Sequence, residues 1–146
     1  MSLYSTYKTN PDFETKGVTF EFGSYRVVLA RSGGSNSKYQ KTLTTKLKPY
    51  RRAVQNNSLD SETEMRIMRE AFVECCVMDW LTKDGDDWKS GIEGPDGTIK
   101  PFNKDNLMKV YTDLPDLFVE HQQLANDMNN YRIADIEADV GNSSNS

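Results

Sequence analysis

One histidine, two adjacent cysteines and a short acidic cluster are the side chains of this sequence whose types could carry chemistry. His121 has no cysteine or second histidine near it and falls on the apolar stripe of a helical pattern. A packing or capping role suits it better than that of a ligand or general base. A serine, histidine and aspartate can meet across a fold, but no serine here stands in the sharp strand-to-helix turn of a nucleophile. Cys75 and Cys76 sit beside Phe72 and Val77 at helical spacing. Adjacent helical positions point about 100° apart, a poor geometry for joint metal ligation. A disulfide between neighbours lacks the usual Cα separation, so reduced, core-facing thiols are expected. Asp84, Asp86 and Asp87 begin like a calcium loop, yet counting from Asp84 the glycine position holds Lys89 and the closing glutamate position holds Pro95. Gly33-Gly34 precedes a helical stretch, but the spacing of a phosphate loop is missing and a flexible linker accounts for it. No catalytic residue, cofactor or metal is assigned, and the chain is read as a binding protein and not an enzyme.

One feature has the composition of a binding surface. Lys38, Lys41, Lys46, Lys48, Arg51 and Arg52 lie beside Tyr39 and Tyr50, the pattern of a nucleic-acid footprint. The tyrosines fall on the buried stripe of the helix and not among the charges. A pI of about 5.0 also opposes sequence-independent binding to phosphate. A solvated face or an acidic protein partner is therefore preferred, and nucleic-acid binding stands as the alternative. Residues 22–59 carry eight Lys or Arg and no acid, whereas from Asp60 onward eight basic residues face nineteen acidic ones. Such asymmetry favours head-to-tail association or pairing of the two halves.

The elements that must position these residues follow from length and pattern. A chain of 146 residues suits one domain with its own core, and 36% apolar with 27% charged residues suggests modest helices. No run is long and apolar enough for a membrane span, and residues 1–13 lack the order of a secretory signal, so a cytoplasmic protein is expected. Residues 1–16, polar and carrying Asn10-Pro11, read as a flexible leader, 17–138 as a single helical domain, and 139–146 as a disordered tail. Val18, Phe20 and Phe22 alternate with Thr19 and Glu21, Gly23-Ser24 offers a turn, and 25–30 is β-branched and aromatic, which makes a hairpin. Ser37 caps a helix in which Tyr39, Leu43 and Leu47 recur every four residues. Pro49 kinks or restarts it, and Asn56-Asn57 ends it. Ser61 and Glu64 form a capping box for a helix whose stripe of Met65, Met68, Phe72, Cys75 or Cys76 and Asp79 or Trp80 carries on to near Lys83. A short β excursion over 88–99 surrounds Pro95-Asp96-Gly97. Asn103 caps a fourth helix through Leu107, Val110, Tyr111 and Leu114. Pro115 starts a last one through Leu117, His121, Leu124 and Met128 to about Ile136. The expected fold is mainly α (α+β), an N-terminal β-hairpin packed on about four helices.

Read together, these segments resemble the tail assembly chaperones of long-tailed bacteriophages and prophages. The resemblance rests on Lys38-Tyr39-Gln40-Lys41 with Leu47-Lys48-Pro49-Tyr50-Arg51-Arg52, and on Val77-Met78-Asp79-Trp80. It continues through Gly94-Pro95-Asp96-Gly97 before Pro101-Phe102-Asn103-Lys104-Asp105-Asn106, and through Thr112-Asp113-Leu114-Pro115-Asp116-Leu117-Phe118. It implies a protein of the host cytoplasm that coats the tape measure protein, keeps it soluble, helps recruit tail tube subunits and is absent from the mature virion. No cofactor, membrane or nucleic acid is implied, and self-association is possible. The expected protein-binding residues are Tyr39, Leu43, Leu47, Tyr50, Arg51 and Arg52 on the first helix and Leu117, Phe118, Leu124 and Met128 on the last, an adaptable aromatic and methionine-bearing face. Since no metal is assigned, a chelator is expected to leave the thermal unfolding midpoint unchanged; a large drop would contradict that reading.

Overall fold

Asn10-Pro11 is a helix start. In the computed structural model, which describes residues 2–132, the leader forms α1 (Leu3–Tyr7) and α2 (Pro11–Lys16). The Asn10 side chain accepts from the amides of Asp12 and Phe13, and Pro11 occupies the first turn, where a missing N–H leaves nothing unsatisfied. The expectation of a flexible leader is corrected here, because α2 is fastened to the body. Glu14 is buried, 2.5 Å from Arg31 Nη1, and accepts from the Thr9 hydroxyl at 3.0 Å. Burial alone would raise its carboxyl pKa. Hydrogen bonds from Arg31, Thr9 and Ser35 and the charge of Arg31 outweigh burial and hold it below the usual range. Gly34, at φ +54°, permits this approach, since a Cβ there would collide with the Glu14 carboxylate.

The alternating segment after Gly17 becomes the expected hairpin, β1 (Val18–Glu21) with β2 (Tyr25–Leu29), Phe20 facing Val27. α3 (Ser37–Leu47) has Asn36 at its cap position, so Ser37 is its first residue and not the expected cap; Pro49 sits in a 3-10 turn (Lys48–Tyr50), and α4 (Arg51–Gln55) restarts the helix. α5 (Ser61–Cys75) is capped by Asp60, one residue before the expected capping box, its side chain accepting from the Thr63 amide at 3.1 Å.

Here the chain leaves the expected course. α5 stops at Cys75 and the following residues form β3 (Val77–Asp84), which pairs antiparallel with β2 and with β4 (Asp87–Ser90). The result is a four-stranded sheet in the order β1-β2-β3-β4, so the mainly α description with a lone hairpin gives way to a mixed α+β fold. The helical reading failed because Phe72, Cys76 and Trp80 satisfy a four-residue repeat. Trp80 and Thr82, buried, also alternate with Leu81 and Lys83, and the irregular pairing between Val28 and Leu29 breaks that alternation near Met78. Pairing with a distant strand overrides local period.

The rest follows more closely. β5 (Ile92–Glu93) and β6 (Ile99–Lys100) make a small separate hairpin. Asn103 caps α6 (Lys104–Asp113), accepting from the Asn106 amide at 2.9 Å, and Pro115 begins α7 (Pro115–Asn126). α7 is shorter than expected: Asp127 is extended, and a 3-10 turn (Met128–Tyr131) carries Tyr131 inward to donate its hydroxyl to the Leu29 carbonyl at 2.9 Å. The expected tail, 139–146, lies outside the described residues. One sheet face, with Val27, Leu29 and Trp80, packs on Phe72, Tyr111 and Phe118 to form the core, while the guanidinium of Arg26 covers Trp88 at 4.0 Å on the other. Arg31→Met, which leaves the buried Glu14 carboxylate without its cation, is expected to destabilise by about 3 kcal/mol in urea unfolding. Glu14→Leu in the same chain is expected to recover most of that loss.

Candidate functional site

Among the described residues, two apolar grooves are each built by more than one element. The first is built by the small hairpin standing against α6. Gly91, at φ +133°, lets the chain turn out of β4, since a Cβ there would strike the Lys100 carbonyl. The hairpin tip is held by Asp96, whose carboxylate accepts from the Thr98 hydroxyl at 2.8 Å and amide at 3.1 Å and meets Lys100 at 3.2 Å. The Thr98 hydrogen bonds, then Lys100, hold its pKa at about 2. Between hairpin and helix lies a groove of about 410 Å³ lined by Ile92, Gly94, Pro95, Val110 and Leu114, with Glu93, Lys100, Asn106, Lys109 and Asp113 contributing polar groups. It runs through shared residues Ile92, Val110 and Leu114 into a depression of about 190 Å³ reaching Tyr25, Trp80 and Leu117.

Leu114 is an exposed apolar side chain of this groove, at 52%. Its place follows from the helix boundary: α6 ends as the Leu114 amide bonds to the Val110 carbonyl, and Pro115 must begin a new helix because it cannot continue the old one.

Beneath the groove the floor is aromatic. Tyr25 stacks on Trp80 at 5.0 Å between centroids and on Phe22 at 4.9 Å. His121 bridges two phenols, with Nε2 2.9 Å from the Tyr25 hydroxyl and Nδ1 2.7 Å from that of Tyr111. Burial lowers its pKa to about 4, so at neutral pH the ring is uncharged, donating to one tyrosine and accepting from the other. Burial likewise raises both phenols, with the charge of Glu120 adding to Tyr25. This is the packing histidine that the sequence suggested. Cys75 and Cys76 are free, buried thiols, and burial, then the neighbouring Cys75, pushes the Cys76 thiol up.

The second groove, also about 410 Å³, lies between α3, α4 and α5 and is lined by Leu43, Leu47, Ala53, Val54, Leu59 and Met68, with Asn57 and Glu64. Lys48, Arg51 and Arg52 on the same turn are exposed, and none is in an ion pair among the described residues. Lys46 differs, held between Glu70 at 3.3 Å and Glu74 at 3.0 Å. The Tyr50 hydroxyl accepts from Arg66 at 3.3 Å.

These positions divide the expected binding residues. Tyr39 and Phe118 belong to the core and present nothing to a partner. Leu43 and Leu47 line the second groove, and Tyr50, Arg51 and Arg52 lie beside it. Leu117 reaches the first groove, while Leu124 packs against the core and Met128 is half-buried in the last 3-10 turn. They therefore form no single face. Sequence reasoning missed Ile92, Pro95, Val110 and Leu114 as a surface. The available signal was the pairing of a Pro-Asp-Gly turn with a leucine stranded before Pro115.

The chain is an α+β domain with apolar grooves at the β5–β6 hairpin and between α3, α4 and α5. The chain matches the YdaY prophage protein family over residues 34–142, most of its length, and belongs to that family. It is a prophage protein. No curated protein and no solved structure matches it. Among the described residues, no helix is long and apolar enough to cross a membrane.

The buried histidine has a measurable consequence. Its pKa of about 4 in the fold lies below the ordinary value of 6.5, so the unfolded chain takes up the proton first. Its contribution is complete above pH 6.5 and is lost as pH falls toward 4, by about 3 kcal/mol. In urea unfolding at a series of pH values, His121→Phe is expected to lack this slope; an unchanged slope would contradict the assignment.

Proposed function

We propose that this prophage protein is a tail assembly chaperone that binds the tape measure protein in the host cytoplasm and acts without catalysis. The observation that carries the reading is the first groove. Segments on which the resemblance rests converge there: Gly94 and Pro95 from the hairpin turn, Asn106 from the start of α6, and Asp113 and Leu114 from the α6–α7 junction. Trp80 and Leu117 extend it. A tape measure is a long helix with an apolar stripe, and an open apolar groove with polar groups among its lining suits one side of such a helix. The aromatic floor is packed before the client arrives, which reduces the ordering cost of binding. Recruitment of the tail tube protein belongs to the same reading and would use another part of the surface.

A second reading, nucleic-acid binding, is favoured by the unpaired cations of Lys48, Arg51 and Arg52. Three exposed cations on an acidic chain give a small phosphate footprint, so duplex or single-stranded DNA is expected to bind weakly at physiological salt. Submicromolar affinity with steep salt dependence would put this reading first.

The direct test is co-expression with the tape measure protein of the same prophage. The client is expected to stay soluble and to copurify with several copies of this chain. Leu114→Asp, at a half-exposed position that the core does not use, should reduce soluble client about tenfold while circular dichroism stays unchanged. A client equally soluble with this variant, or with no chaperone at all, would overturn the proposal.

A further inference from the structure

The second groove answers a different need. It combines exposed apolar side chains, Val54 at 44% among them, with a cationic margin that the described residues leave unpaired. An apolar floor beside free cations selects an occupant that is both apolar and acidic. The chain carries such a segment. Residues 133–140, which follow the last described residue, read Ile-Ala-Asp-Ile-Glu-Ala-Asp-Val and hold three acids and no base among branched apolar side chains.

We propose that residues 133–140 of one copy seat in the α3–α4–α5 groove of another, joining copies head to tail.

Geometry argues for a second copy over the chain's own groove. The 3-10 turn ends at Tyr131, whose hydroxyl bonds the Leu29 carbonyl, while the amide of the next residue, Ala30, bonds the Cys76 carbonyl at 2.7 Å. The chain therefore reaches Arg132 at the Cys76 end of α5. α3 runs antiparallel to α5, with Cys75 Sγ near the Lys38 carbonyl and Lys46 beside Glu70. The groove lies toward Glu64, about 16 Å back along α5 at 1.5 Å per residue. Ile133 directly follows Arg132, so within one molecule about five residues of this segment, at roughly 3.3 Å each, would be used in crossing that distance and only 138–140 would be left for the groove. A contact between unlike surfaces continues from copy to copy, into a ring where the rotation closes and into an open row where it does not. An open row of copies suits a rod-shaped client, but the contact itself requires no client and is measured on the protein alone.

Sedimentation velocity of the full chain over a range of concentrations is expected to show reversible growth in mass that 0.5 M salt weakens. Arg51→Glu with Arg52→Glu, at exposed positions, should weaken association about tenfold or more, and Asp135→Lys with Glu137→Lys and Asp139→Lys should do the same. Mixing the two variants should restore association, because each then offers the complement of the other. Leu114→Asp should associate like the parent, which separates this contact from client binding. A parent that stays monomeric at high concentration, charge variants that associate like the parent, or a mixture that stays dissociated would overturn the proposal.

Discussion

The change from helix to strand at Cys75–Val77, made without a connecting loop, is the constraint on which the rest of the molecule depends. A helix ending here must satisfy its last carbonyls within a few residues. The Cys75 carbonyl accepts from the Asn36 side chain at 3.1 Å, and the Cys76 carbonyl accepts from the Ala30 amide at 2.7 Å. Asn36 also binds the Arg31 carbonyl at 2.8 Å, so one buried amide joins the end of β2, the start of α3 and the end of α5. With that junction fixed, β3 must lie beside β2. Trp80 must then face the helices and the Tyr25 ring, and Tyr25 must meet His121. The groove floor is a consequence of where α5 stops.

The histidine bridge illustrates how a polar group can hold an apolar site. Neutral imidazole has one donor and one acceptor, and the two phenols use both. The bridge links β2, α6 and α7 across the core under the groove. Leu114 stands half-exposed above that floor.

Elements whose signals are local were legible in the sequence. The β1–β2 hairpin, the restart at Pro49, the Asn103 cap and the α6–α7 break at Pro115 all stand where turn and capping residues put them. Elements decided by distant partners were not legible. β3 was hidden because Trp80 fits a helical repeat and its strand partner lies far back in the chain. The anchoring of α2 was not legible either, because a buried acid at Glu14 makes sense only with Arg31 beside it. The grooves were half legible: the basic stretch pointed to the α3–α5 surface. The hairpin groove, by contrast, needs a β-turn and a helix junction to meet in space, which no periodicity reports.

The central claim is that the groove between the β5–β6 hairpin and α6 receives an apolar helical client. Hydrogen exchange on the full chain, free and bound to a soluble fragment of the tape measure protein, tests it most directly. The account predicts slowed exchange in residues 92–95 and 106–117, with little change in 38–60. Slowed exchange confined to 38–60, or no change anywhere on binding, would contradict it.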